Sequence, residues 1–140
     1  MPRATDKWPF GRHPALYWLA LAGYTAILFI QSSLPSPDLG SDLPGQDKVL
    51  HLAAYTLMGY LACCAFATLR ILRTIGLVCL AGVLFSVLFG LGDEWHQTFV
   101  PGRHADGWDL AADSLGALLG AAVFAWRHRP AADGDRAFPR

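Results

Sequence analysis

Charge is what this 140-residue chain has least of: 16% of its residues are Asp, Glu, Lys or Arg, and 54% are hydrophobic. Soluble domains carry about 25% charged residues. The shortage leaves no basic stripe dense enough for a nucleic-acid partner. The three cysteines, Cys63, Cys64 and Cys79, are odd in number, two of them adjacent, and all inside apolar runs. A disulfide framework is thereby excluded, and they read as small buried hydrophobes. Cys and His nowhere recur at zinc-finger spacing. Apolar/polar alternation of the outer-membrane barrel type is also missing, which excludes membrane strands.

What the chain does have is four apolar runs: Ala15–Ile30, Asp47–Leu69, Thr74–Gly92 and Asp109–Trp126. The third is expected to stay helical through Phe99 before Pro101 ends it. Runs of this size cover roughly 25–31 Å as helices, matching a hydrocarbon core of ~30 Å. A soluble four-helix bundle would need polar faces that these runs lack. The basic start followed by an apolar run also fits a signal peptide. The first run, however, is longer than most such regions, contains Tyr17, Trp18 and Tyr24, and lacks a small-residue exit, so it reads as a retained helix. Pro35, Pro37 and Pro44 break the chain after it. The expected architecture is an all-α, integral membrane four-helix bundle spanning 15–126. A basic segment (1–14) precedes it, and a basic, disordered tail (127–140) follows.

Orientation follows from the cations. With the N-terminus cytoplasmic, the inside segments hold Arg3, Lys7, Arg12, Arg70, Arg73, Arg127, Arg129, Arg136 and Arg140, and the outside ones only Lys48 and Arg103. Nine against two places both termini in the cytoplasm by the positive-inside rule. A cytoplasmic (inner) membrane location is expected. The polar stretch Asp93–Asp113, with five carboxylates, two histidines and an arginine, then faces outward.

Spacing makes the polar residues converge. Asp47, His51, Tyr55 and Gly59 share one face of the second helix; Gly82, Ser86, Gly90 and Glu94 repeat at four along the third; Asp109, Asp113, Gly116 and Gly120 line the fourth. Small residues at such intervals mark helix–helix contacts in membranes. Each polar stripe continues a small-residue stripe, so the polar groups aim into the bundle near its outer surface. The predicted pocket contains His51, Glu94, Asp93 and Asp109 as candidate catalytic groups. Arg103, Gln97, Tyr55, Asp47, Asp106 and Asp113 are candidate substrate contacts. Asp47 and Asp109 could equally be helix-start charges favoured by the dipole. Asp113 lies a turn inside its helix among Leu110, Ala111, Ala112 and Leu115, where a lone carboxylate costs several kcal/mol. His51 could serve as acid, base or ligand with one nitrogen oriented by a carboxylate. The Arg103 fork suits a phosphate or carboxylate, or pairs with Asp93, Glu94 or Asp106. His96 and His104 read as loop residues, and the five tryptophans as interface anchors.

Two blocks carry a family resemblance. DKVLHLAAYTLMG, preceded by Ser32–Ser33, and DEWHQTFVPGRHADGWDLAADSLGALLG resemble the pattern of the VanZ-like family of small bacterial membrane proteins. The likeness runs from about Gln31 to Gly120. It supports Asp47, Lys48, His51, Tyr55, Asp93, Glu94, Gln97, Arg103, Asp109 and the position of Asp113. Asp113 departs from the pattern, which has Asn there in most members; the departure either removes a neutral hydrogen-bonding role or implies a protonated Asp. The resemblance implies cell-envelope work and low-level resistance to teicoplanin, and supplies no reaction.

Three readings follow. The pocket acts on a lipid-linked envelope precursor or another amphiphile, teicoplanin-type glycopeptides included; no cofactor is identified, though a divalent cation could bridge the acids. Alternatively, it only recognises a headgroup or partner protein. A proton or cation pathway ranks last, because the inner halves of the helices offer no polar residues to extend it. The sequence leaves oligomeric state open.

Overall fold

A computed structural model describes residues 13–34, 45–72 and 74–128. Within them the chain forms four helices and no strand: α1 (Pro14–Ser32), α2 (Gln46–Phe66), α3 (Ile75–Gln97) and α4 (Gly107–His128). Each is long and apolar enough to cross a membrane. Large apolar side chains such as Leu19, Ile27, Leu80, Leu88 and Leu118 stay exposed around the outside. Such a surface belongs in lipid, and the architecture is the expected four-helix membrane bundle.

Local chemistry sets the helix ends. Pro14 occupies the first turn of α1, where its missing N–H leaves no bond unmade. Thr74 caps α3 by accepting the Leu77 N–H at 3.2 Å. Several boundaries differ from expectation. α2 stops at Phe66 rather than Leu69, and α1 runs on from Ile30 to Ser32. α3 ends at Gln97 instead of Phe99, because Thr98, Phe99 and Val100 close tight turns onto Trp95, His96 and Gln97. That tightening precedes Pro101, and the residue before a proline resists helical dihedrals. α4 starts at Gly107 and runs through Arg127 and His128, basic residues that favour a helix C-terminus. Residues 1–12, 35–44 and 129–140 lie outside the described part, so most of the basic leader, the proline break and the tail beyond His128 are not described.

Packing follows the small-residue stripes. A Cβ on Gly116 would lie 2.5 Å from the Leu52 carbonyl oxygen, one on Gly59 2.6 Å from that of Ala117, and one on Gly120 would collide with that of Thr56. The backbones of α2 and α4 therefore touch directly, an approach only glycine permits. α3 joins through Gly82, which faces Cys63. Met58, Ala62, Cys63, Val78 and Phe124 are fully buried and fill the bundle below the polar end. The cysteines are free. α1 is the most peripheral helix, burying only Leu21 and Ser32.

Candidate functional site

The end of α1, the start of α2, the end of α3 and the start of α4 share one end of the bundle, and the polar residues gather there. His51, one turn into α2, points its Nδ1 at Asp113 Oδ1 of α4 across 2.9 Å. Asp113 is 1% exposed, so this contact is what makes its burial tolerable. The buried carboxylate orients the imidazole through Nδ1. Nε2 lies 4.0 Å from Asp109 Oδ2. Tyr55, one turn deeper, is buried with its ring parallel to that of His51.

α3 contributes a second layer. Gln97 donates to Asp93 Oδ2 at 3.0 Å. Glu94 Oε2 accepts the backbone N–H of Asp106 at 2.8 Å and so pins the loop that leads into α4. Asp106 in turn caps α4, its Oδ1 accepting the Trp108 N–H at 2.9 Å. Lys48 supplies the shared cation: its Nζ lies 2.7 Å from Asp106 Oδ2, 2.8 Å from Asp109 Oδ1 and 3.1 Å from Asp47 Oδ2. The Lys48 ammonium, then the Trp108 N–H, hold the Asp106 carboxyl below the usual carboxylate range.

Not all the predicted residues meet. Asp47 is more than half exposed and touches the cluster only through Lys48. Arg103 lines the cavity beside His51, Tyr55, Asp93 and Gln97, but its guanidinium turns to α1, donating to the carbonyls of Leu34 at 3.0 Å and Gln31 at 3.2 Å. Among the described residues no hydrogen bond or ion pair ties it to a carboxylate. It adds donors to carbonyls at the end of α1, following the turn at Gly102, whose φ of +79° only glycine adopts readily. His96 is a correction: it is the penultimate residue of α3, not a loop residue. Its Nε2 lies 3.0 Å from Ser33 Oγ and its ring packs on Phe29, fixing α1 to α3. Sequence reasoning gave Lys48 no place among the candidate site residues. The signals available were the family resemblance, which included Lys48, and its spacing of three from His51, which sets both on one face of α2.

The cavity lined by His51, Tyr55, Asp93, Gln97 and Arg103 holds about 60 Å³, room for a few waters at ~10–15 Å³ each. Three buried oxygens, Asp93 Oδ1 on a lining residue and Glu94 Oε1 and Asp113 Oδ2 on residues that do not line the cavity, find no partner among the described protein atoms. The arrangement offers a histidine oriented by a buried carboxylate and spare acceptors at one end of the bundle.

Fold and site together define a small multi-pass membrane protein with a buried acid–histidine cluster at one end of a four-helix bundle. The family model described as VanZ/LLP1 matches residues 14–128, the entire bundle, and the chain belongs to that family. No curated protein and no solved structure matches the chain.

Proposed function

We propose that this protein works in the cell envelope on the polar head of an amphiphile, with the His51–Asp113 pair as its acid–base centre. The observation that carries the reading is that pair: an imidazole held at 2.9 Å by a buried carboxylate, beside a cavity it helps to line. A histidine so oriented takes or gives a proton at Nε2. Glu94 and Asp93, each with a free buried oxygen, are the further proton carriers, and Asp109 stands nearest to Nε2. Lys48 and Arg103 already have protein partners and hold the frame.

The cation distribution supports cytoplasmic termini and an outward pocket. The substrate then comes from the outer leaflet: a lipid-linked envelope precursor or a lipid-tailed glycopeptide of the teicoplanin type. Its way in is alongside α1, the least buried helix. To test the orientation, a cysteine replaces Asp47 in a chain whose own cysteines are alanine. Labelling of intact cells by a membrane-impermeant maleimide is expected; protection until lysis would overturn it.

The cavity volume favours a second reading, recognition without catalysis, because about 60 Å³ admits waters rather than a whole headgroup. Conduction has nothing to support it, since fully buried apolar side chains close the bundle below the site. The separating experiment compares lipids and lipid-linked precursors by mass spectrometry in cells with the wild-type protein, with none, and with His51→Ala. A species altered only by the wild-type protein supports catalysis. Identical profiles, with a phenotype that tracks ligand affinity, select recognition instead.

A further inference from the structure

The charges of this site do not balance. Asp47, Asp106 and Asp109 share the Lys48 ammonium. The guanidinium of Arg103 is given to backbone carbonyls. Among the described residues, Asp93, Glu94 and Asp113, at 8%, 7% and 1% exposure, are left with His51 as the only basic side chain paired with any of them. Each of these three carboxyls has one buried oxygen without a partner. Unmatched buried acceptors of this kind call for a positive charge.

Among the described residues, two sets of side chains bring three donor atoms within 4.8 Å of one another: His51, Glu94 and Asp113, and Asp47, Asp106 and Asp109. The outer set already has its cation in Lys48. The inner set has none, and its donors span little more than two metal–ligand bonds of ~2.0–2.2 Å. Gly90 keeps the space open, since a Cβ there would sit 3.1 Å from Asp113 Oδ2 and 3.2 Å from the Tyr55 ring.

We propose that His51, Glu94 and Asp113 form a site for one divalent transition-metal ion beside the cavity that His51 lines. One imidazole nitrogen with two carboxylates suits Zn²⁺, Mn²⁺ or Fe²⁺ better than Ca²⁺ or Mg²⁺, which prefer oxygen throughout. Three protein ligands leave coordination positions for water in the adjoining cavity. The site rests on the same pocket as the proposed function and names the cofactor class that pocket would use.

The test takes the purified full-length protein in detergent, freed of metal with a chelator, and adds Co²⁺ alone. One Co²⁺ per chain is expected, with visible absorption of mixed nitrogen and oxygen ligation, displaced by Zn²⁺. Glu94→Gln and Asp113→Asn should each weaken binding by about tenfold or more, and Asp47→Asn by less than about twofold. No saturable binding by the wild-type protein below about 1 mM would overturn the proposal. So would a loss from Asp47→Asn as large as that from Glu94→Gln, which puts the ion on the outer acids. Should the inner variants fail to fold, pulsed EPR of the Mn²⁺-loaded wild-type protein decides: imidazole nitrogen coupling supports the site, and all-oxygen ligation overturns it. Substrate turnover without metal would remove this inference and leave the acid–base reading. Metal binding without any envelope product does the reverse.

Discussion

Gly116→Ala is the sharpest perturbation of the frame that holds the site. Gly116 lies one turn below Asp113, facing the turn of α2 that follows His51. An added Cβ would stand 2.5 Å from the Leu52 carbonyl oxygen, 3.0 Å from the Thr56 nitrogen and 3.1 Å from the Tyr55 Cβ. Two of these are backbone atoms and cannot swing aside. Relief to the 3.4 Å of ordinary contact requires α2 and α4 to part by about 0.9 Å, and overpacking of this kind costs about 1–3 kcal/mol. The same displacement would stretch the 2.9 Å His51–Asp113 contact toward 3.8 Å, past the ~3.2 Å limit of a hydrogen bond. Unfolding in detergent reports the first effect, and ¹⁵N NMR of the His51 ring reports the second. Gly23→Ala is the control, since nothing lies within 4 Å of its Cβ position; it should stay within about 0.5 kcal/mol of wild type. A Gly116→Ala protein as stable as the control, with an unchanged His51 signal, would refute direct backbone contact between α2 and α4.

Two further expectations concern the cations. Asp106 has a lowered folded-state pKa, so its stabilising contribution is complete above the ordinary carboxylate value and is lost as pH falls through the lowered one. Thermal stability of the wild-type protein should therefore drop on acidification below about pH 4. Lys48→Met, which removes the ammonium that Asp47 and Asp109 also face, should drop less over the same window; equal slopes would contradict the shared-cation geometry. Arg103→Lys replaces a two-pronged donor by a point charge and should raise amide hydrogen exchange across Gln31–Leu34, leaving α4 unaffected. Unchanged exchange there would show that Arg103 does not hold the end of α1.

Much of this was legible beforehand, for physical reasons. Apolar runs of bilayer length become helices because lipid leaves the backbone no other partner, and the four-residue repeat of Gly82, Ser86, Gly90 and Glu94 emerged as a buried face of α3. The Gly116 and Gly120 stripe correctly marked the contact with α2. Spacing along one helix fixes a face, however, and does not say how deep a neighbouring helix sits or where a long side chain ends. Lys48 reaches three carboxylates on a flexible stem, and no periodicity encodes that reach. Arg103 reaches the Gln31 and Leu34 carbonyls at the end of α1 because the loop after Gly102 delivers it there, a matter of loop path rather than composition. His96 was misplaced because the last turn of α3 was not expected to dock on α1 through Ser33 and Phe29.

The central claim is that His51 and Asp113 do chemistry on an amphiphile, and reconstitution tests it most directly. Purified protein is placed in lipid nanodiscs with an envelope-lipid extract, and the lipids are followed by mass spectrometry over time. The account predicts a new product with the wild-type chain and with Gly23→Ala, and none with His51→Ala or Asp113→Ala. Equal product from the His51→Ala protein would contradict it.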